Sequence, residues 1–190
     1  MGHSKIEKAQ NHERIVKVAA ALFRELGVDG IGVVELMQRA GLTHGGFYRH
    51  FGSRDELVAE SVERALEDGS AVANAIAANP RSTFGTVVDA YLSVAHRDNI
   101  ASGCAVTALA SDVARSNHRV RSAYALQVRR YVDLIAKRLE TKAPSERRPV
   151  AVAALATLVG AVAMARAVND EKLSREILKS AADDLKARLT

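Results

Sequence analysis

Apolar positions recur at three- and four-residue steps along almost the whole chain, and strand-type alternation is hard to find. Ile15, Val18, Ala19, Leu22, Phe23 and Leu26 form one stripe, and Gly27 then closes the helix as a C-terminal glycine does. Val34 to Ala40 reads as a short second helix. After the Ala40-Gly41-Leu42-Thr43 turn, Thr43 is placed to cap a third over His44 to Phe51. Ser53 caps a fourth, with Glu56 at the capping-box position, and Leu57, Val58, Val62 and Leu66 carry it to about Ala77, before Asn79-Pro80. Phe84, Val87, Val88, Tyr91, Leu92 and Ala95 make a further stripe, followed by a segment from Cys104 to about Arg115. Val120, Tyr124, Val128, Tyr131, Ile135 and Leu139 predict a long helix. Ser145 to Val168 predicts an alanine-rich one that tolerates Pro149 in its first turn. Leu173, Ile177, Leu178, Ala181, Leu185 and Leu189 predict the last. The expectation is an all-α chain of about nine helices. A compact three-helix unit over residues 1–53 is joined through a long helix to a larger bundle over residues 54–190.

Composition narrows the classes. The chain has 190 residues, 48% hydrophobic and 26% charged, an ordinary globular balance. A net charge of +5 and a pI near 9.6 are compatible with a polyanionic partner without requiring one. Cys104 is the sole cysteine, so no internal disulfide forms, which favours a reducing compartment and a cytoplasmic location. No apolar run follows Met1, so no secretory signal is expected. The apolar stretch from Val150 to Val168 is read as a helix of a core or interface rather than a membrane span, because of its alanine content and Arg166.

The segment from Gly30 to Phe51 carries the chemistry. Leu36, Ala40, Leu42 and Phe47 supply an apolar seam, Ala40 is small where two helices would touch, and Gly41 can take the positive φ of a tight turn. The short element after the turn holds His44, Gly45, Gly46, Tyr48, Arg49 and His50, too polar to be mainly core. Such an element suits the major groove of DNA. Gly45 and Gly46 cost a helix roughly 1 kcal/mol each relative to alanine. Either they permit close approach to the groove or they relieve packing. Lys5, Lys8, Arg14 and Lys17 are phosphate contacts or a solvated basic face.

These residues resemble the TetR family of transcriptional regulators. The resemblance rests on Leu22-Phe23-Arg24-Glu25-Leu26-Gly27, Leu36-Met37-Gln38-Arg39-Ala40-Gly41-Leu42-Thr43, Phe47-Tyr48-Arg49-His50-Phe51 and Ser53-Arg54-Asp55-Glu56-Leu57, and it covers roughly residues 12 to 60. It implies that Thr43 caps the recognition helix and reaches a phosphate or base. His44, Gly45 and Gly46 stand at base-facing positions, Tyr48 places its hydroxyl on a phosphate, and His50 lies near the backbone. Arg54 matches a position usually held by a phosphate-binding lysine, and Arg49 reaches a base or phosphate. Gly32, Val33 and Val34 depart from the family pattern, which favours polar groups there, so the second helix should contribute less direct readout.

The resemblance further implies a homodimer on a pseudo-palindromic operator and a bundle that binds a small molecule. The expected dimer face is Leu155, Leu158, Val159, Val162, Ile177, Ala181 and Leu185. The candidate effector contacts are Phe84, Tyr91, His96, Cys104, Leu109, Tyr124, Tyr131 and Met164. None of these carries a fixed charge, which points to a small lipophilic effector that releases a repressor from double-stranded DNA. Cys104 is read as an inert buried thiol or a redox sensor. The alternative is a helical adaptor for protein partners that has lost DNA binding. No HExxH, GxSxG, P-loop or CxxC occurs, and the histidines lack ligand spacing. No enzymatic activity, cofactor, metal or membrane partner is therefore expected.

Overall fold

The computed structural model describes residues 2–79, 81–139 and 142–189. Among them the structure is helical throughout: α1 (Gly2–Leu26), α2 (Val33–Arg39), α3 (Arg54–Ala78), α4 (Phe84–Tyr91), α5 (Val94–Asp98), α6 (Ala105–Ala108), α7 (Ala110–Ala114), α8 (His118–Ala136), α9 (Pro144–Ala167) and α10 (Glu171–Leu189). Short 3-10 helices occupy Val28–Gly30 and His44–Arg49. The expected long segments divide where local hydrogen bonds compete with the helix. Ser93 accepts from His96 N at 3.1 Å and starts α5 separately from α4, and Leu109 at φ −110° and ψ 7° separates α6 from α7. Pro80, expected to help end the fourth helix, lies outside the described residues.

Capping follows the sequence at Ser53, whose hydroxyl accepts from Glu56 N at 3.2 Å. The Glu56 carboxylate reaches back to Gly52 N at 2.6 Å, one residue beyond the usual box partner. Thr43 sits at extended angles before the 3-10 helix but its side chain makes no capping bond, contrary to expectation.

α3 and α8 run side by side in the same direction, as their contacts show: Glu63 with Arg119 at 2.6 Å, Ser70 with Gln127 at 2.5 Å, and the Ile76 carbonyl with Arg138 at 3.0 Å. One core holds Ile15, Phe23, Leu36, Met37, Phe47 and Phe51 of the N-terminal unit with Leu57 and Val62 of α3. It continues without a break into Val106, Leu109, Val113 and Val120, so burial does not stop at residue 53. A second core lies between α4, α8, α9 and α10. Each large side chain removed from water contributes about 1.5–3 kcal/mol.

Polar contacts weld the N-terminal unit to the bundle and the bundle to itself. Arg24 is 7% exposed; its Nε donates to the Ala101 carbonyl at 2.5 Å and its Nη1 to the Ala65 carbonyl at 3.3 Å, with Asp68 at 3.7 Å. Asp112 accepts from Val28 N at 3.2 Å. Arg97 ties α5 to α10 through Glu171 at 2.8 Å and Ser174 at 2.7 Å.

α9 is long and apolar enough to cross a bilayer by length and composition. Here one of its faces, with Ala151, Ala154, Leu155, Leu158, Ala161, Val162 and Ala165, is buried in the second core.

Candidate nucleic-acid interface and cavity

α2 ends at Ala40, whose N–H donates to the Leu36 carbonyl at 3.0 Å. Gly41 then turns the chain at φ +73°, and Leu42 N closes on the Met37 carbonyl at 2.9 Å. That left-handed turn costs a glycine little and a side-chain-bearing residue about 1–2 kcal/mol. The next element is anchored by Phe47, 2% exposed, which stacks on Phe51 at 5.6 Å. Its bonds are partly of the i to i+3 kind: Gly46 N to the Thr43 carbonyl at 3.0 Å and His50 N to the Phe47 carbonyl at 2.9 Å. The expected third helix is therefore a tighter 3-10 helix. Its shortness, two glycines and the missing cap explain why the α form does not win.

Outward from this anchor the surface is open. Thr43, His44, Gly45 and Arg49 are exposed, and Tyr48 is 74% exposed with its ring edge against Phe47 at 5.2 Å. A Cβ added at Gly45 would meet nothing within 4 Å, and one at Gly46 would make ordinary contacts with Met37 and Thr43. Packing inside the protein therefore requires neither glycine. Val34 is half exposed and Val33 packs partly on the core, so α2 offers apolar surface at its start. Lys5, Lys8, Arg14 and Lys17 are exposed along α1.

His50 and Arg54 are placed differently from Tyr48. His50 is partly covered, 6.1 Å from the His12 ring, and its Nδ1 is buried without a partner. Burial first, then the charges of His12, Lys8 and Arg49, hold it below the ordinary imidazole range. Arg54 does not stand free. Its guanidinium donates to the Val28 carbonyl at 2.6 Å, Asp29 at 3.1 Å and the Ile31 carbonyl at 3.4 Å. It clamps the loop between α1 and α2, an arrangement invisible in the sequence because the partners lie more than twenty positions away and two of them are carbonyls.

The bundle holds a partly open cavity of about 240 Å³ between α3, α4, α8, α9 and the loop before α6. Phe84, Tyr91, His96, Cys104 and Tyr131 line it, as expected from sequence. Leu109, Tyr124 and Met164 do not. Leu109 is fully buried in the first core, Tyr124 gives its hydroxyl to the Val106 carbonyl at 2.8 Å, and Met164 is 54% exposed on α9. Helix phase sends Tyr124 and Met164 elsewhere, and the break between α6 and α7 turns Leu109 into the core. Gly69, Ala73 and Ile76 of α3, with Leu134, Ile135 and Arg138 at the end of α8, complete the wall. Arg138 corrects the expectation of a lining without fixed charge. Leu155 and Leu158 also line the cavity instead of a dimer face, and Val162 and Leu185 are fully buried in the second core. Val159, Ile177 and Ala181 are only partly exposed. The most apolar stripe of α9 turns inward because α8 and α10 both need a large-residue partner there.

Two polar groups of the cavity lining are already committed. His96 Nδ1 is 2.6 Å from the Tyr91 carbonyl, and its Nε2 accepts from Cys104 N at 3.3 Å, so the ring is neutral with its proton on Nδ1. The Tyr91 hydroxyl pairs with Thr107 at 2.7 Å. Burial lowers the His96 pKa below 6.5; the Tyr91 carbonyl opposes this and Arg166 adds to it. The unfolded chain therefore binds the extra proton first. The stability linked to His96 is complete above about pH 6.5 and falls as pH drops through the folded-state value. Urea melts between pH 7 and 5 are expected to show a loss that His96→Gln reduces; an unchanged slope in the variant would remove His96 from the account.

Residues 15–61 match the family described as bacterial regulatory proteins of the tetR family. Residues 80–182 match the C-terminal domain of LmrA/YxaF-like transcriptional regulators. The chain belongs to the TetR family. This TetR-family protein is 30% identical over 166 residues to an HTH-type transcriptional regulator of Mycobacterium tuberculosis, Rv0196, covering 83% of this chain and 85% of the relative. A TetR regulator from Chloroflexus aurantiacus superposes with a TM-score of 0.80 at 25% identity, over 95% of this chain and 94% of the other. Escherichia coli NemR in its reduced form shares the fold, with a TM-score of 0.76 at 21% identity over 94% and 96% of the two chains. The TetR-family chain is thus a DNA-binding transcriptional regulator with a helix-turn-helix head, and its family and relatives are regulators, not enzymes.

Proposed function

We propose that this regulator is a cytoplasmic homodimeric repressor, released from a pseudo-palindromic operator when a small organic molecule occupies the bundle cavity. One observation carries the reading: α3 belongs to both functional regions. At its start Arg54 clamps the loop of the DNA head, and further along Gly69, Ala73 and Ile76 wall the cavity. A ligand that binds better to one arrangement of α3 shifts the spacing of two recognition elements, and so shifts operator affinity. The Arg24 bond to Ala101, next to the cavity residues Ser102 and Gly103, supports a second connection to α1.

On the DNA side, Tyr48, His50 and Arg49 are assigned to phosphates and groove edges, His44 and Thr43 to direct base readout, and Gly45 and Gly46 to close approach. Arg54 is assigned to orienting the head through the α1–α2 loop, with phosphate contact secondary. On the protein side, the proposed dimer face is the outward stripe Val152, Ala156, Gly160, Ala163 and Met164 of α9 with Leu173 of α10, replacing the inward residues expected from sequence.

Fluorescence anisotropy with palindromes from the promoter region tests the reading. Binding should weaken steeply with salt. Gly45→Ala separates the two explanations for the glycine pair. With open space at that Cβ, the fold should be unchanged or gain up to about 1 kcal/mol, while operator affinity drops about tenfold. Unchanged affinity would leave no role for close approach at Gly45, and absence of salt-sensitive binding to any such palindrome would overturn the repressor reading.

A further inference from the structure

The cavity has one permanently charged side chain in its lining, and that charge has no counter-ion among the described residues. Arg138 Nη2 donates to the Ile76 carbonyl at 3.0 Å and Nη1 to the Leu134 carbonyl at 3.3 Å, while its Nε–H is buried without a partner. Two of five guanidinium hydrogens are thus spent on carbonyls at the ends of α3 and α8. The nearest acid along α8, Asp133, is paired with Arg148 at 2.9 Å.

Arg138 stands at one end of an apolar space. It lies seven residues along from Tyr131, about 10 Å at helical rise. At the opposite end His96 has both ring nitrogens engaged and the Tyr91 hydroxyl is bonded to Thr107. Ala73, Leu134, Ile135 and Leu158 lie among the lining between the two ends and offer no side-chain donor. An unspent cationic fork at one end of an apolar slot is complementary to a molecule with an anionic head and an apolar body.

We infer that the cavity takes an organic anion with an aliphatic body, a medium-chain carboxylate in its simplest form, with the carboxylate on Arg138. The inference rests on the reading of this cavity as the effector site. Nε–H and the adjoining Nη hydrogen form the edge that a carboxylate occupies bidentately, after a turn of the side chain towards the space. Burial of the chain supplies the non-specific part of the affinity and Arg138 the choice of head group.

Decanoate and decanol, which share the apolar body and differ in charge, are the probes, titrated calorimetrically against the full-length protein and then against its operator complex. Wild type should bind decanoate about tenfold or more tightly than decanol, and decanoate should release the operator at correspondingly lower concentration. Arg138→Gln should erase that preference while leaving decanol affinity unchanged, which also reports an intact cavity. Arg138→Lys, which keeps the charge and loses the fork, should keep part of it. Should Arg138→Gln fail to fold, the wild-type ratio and the lysine variant decide the matter. Decanol binding as tightly as decanoate, or a preference that survives Arg138→Gln, would assign Arg138 to capping helix ends and overturn the inference while the effector reading stands. If neither probe binds, both fall.

Discussion

Arginine in place of Gly160 is expected to leave the monomer folded, split the proposed dimer, and lower operator affinity by at least about a hundredfold. Gly160 lies within α9 on the face turned away from the core, where an added Cβ meets nothing within 4 Å. Inside the monomer a side chain there is free, and the helix gains about 1 kcal/mol by losing a glycine. Around it Val152 is 48% and Met164 54% exposed, and Ala156 and Ala163 continue the stripe at helical spacing. Such a run of small and apolar residues lets another helix approach closely. In a two-fold dimer the substitution occurs on both copies, so two unpaired cations enter one desolvated seam at about 3–5 kcal/mol each. Operator binding falls with it, because one recognition element reads only one half-site. Sedimentation equilibrium, a thermal melt and operator anisotropy on the same preparation check the three parts. A variant that stays dimeric and binds normally would remove this face from the dimer.

The second large effect is a reversal of sign. Gly69→Ala should destabilise the protein by about 1–3 kcal/mol, although the same change in an exposed helix stabilises by about 1 kcal/mol. An added Cβ would lie 2.6 Å from the Tyr131 hydroxyl oxygen, closer than real contacts allow. Tyr131 is partly buried, its phenol pKa raised by burial and then by the neighbouring Cys104, and it lines the cavity beside α3. Relief requires moving α3 or pushing the ring into the cavity. Either motion uses the contact through which the proposed effector acts, so Gly69→Ala should also blunt release from the operator. In a Tyr131→Phe background the obstructing oxygen is gone, and Gly69→Ala should become stabilising. The coupling between the two changes is then about 2–4 kcal/mol in a double-mutant cycle followed by urea unfolding. Additive effects would show that the close approach of Gly69 and Tyr131 carries no energy.

Much of the interface was legible because its determinants are local. Gly41 must take positive φ, Ser53 finds Glu56 three residues on, and Phe47 and Phe51 share one face, all within a turn or two of chain. The 3-10 form of His44–Arg49 was less legible, since it depends on a balance between two weak helix types and on a Thr43 side chain that does not cap. Arg54 was placed correctly at the start of α3, but its partners are set by how the α1–α2 loop folds back. The cavity was half legible. Aromatic residues on apolar stripes marked Phe84, Tyr91 and Tyr131, but the wall made of Gly69, Ala73 and Ile76 has no chemical signature, and Arg138 looks in sequence like any charge near a helix end.

The sequence by itself determined most of the helices, the turn at Gly41, the cap at Ser53 and the family to which this chain belongs, because these follow from neighbours within a few residues and from side-chain periodicity. Only the tertiary structure decided which face of each helix is buried. α9 is apolar on more than one side, so its own pattern could not choose between them. Contact with α8 and α10 turned Leu155, Leu158 and Val162 inward and left Val152, Gly160 and Met164 outside. The same packing brought Arg138 to the end of an apolar cavity and Gly69 against Tyr131, juxtapositions across helices that no local periodicity encodes.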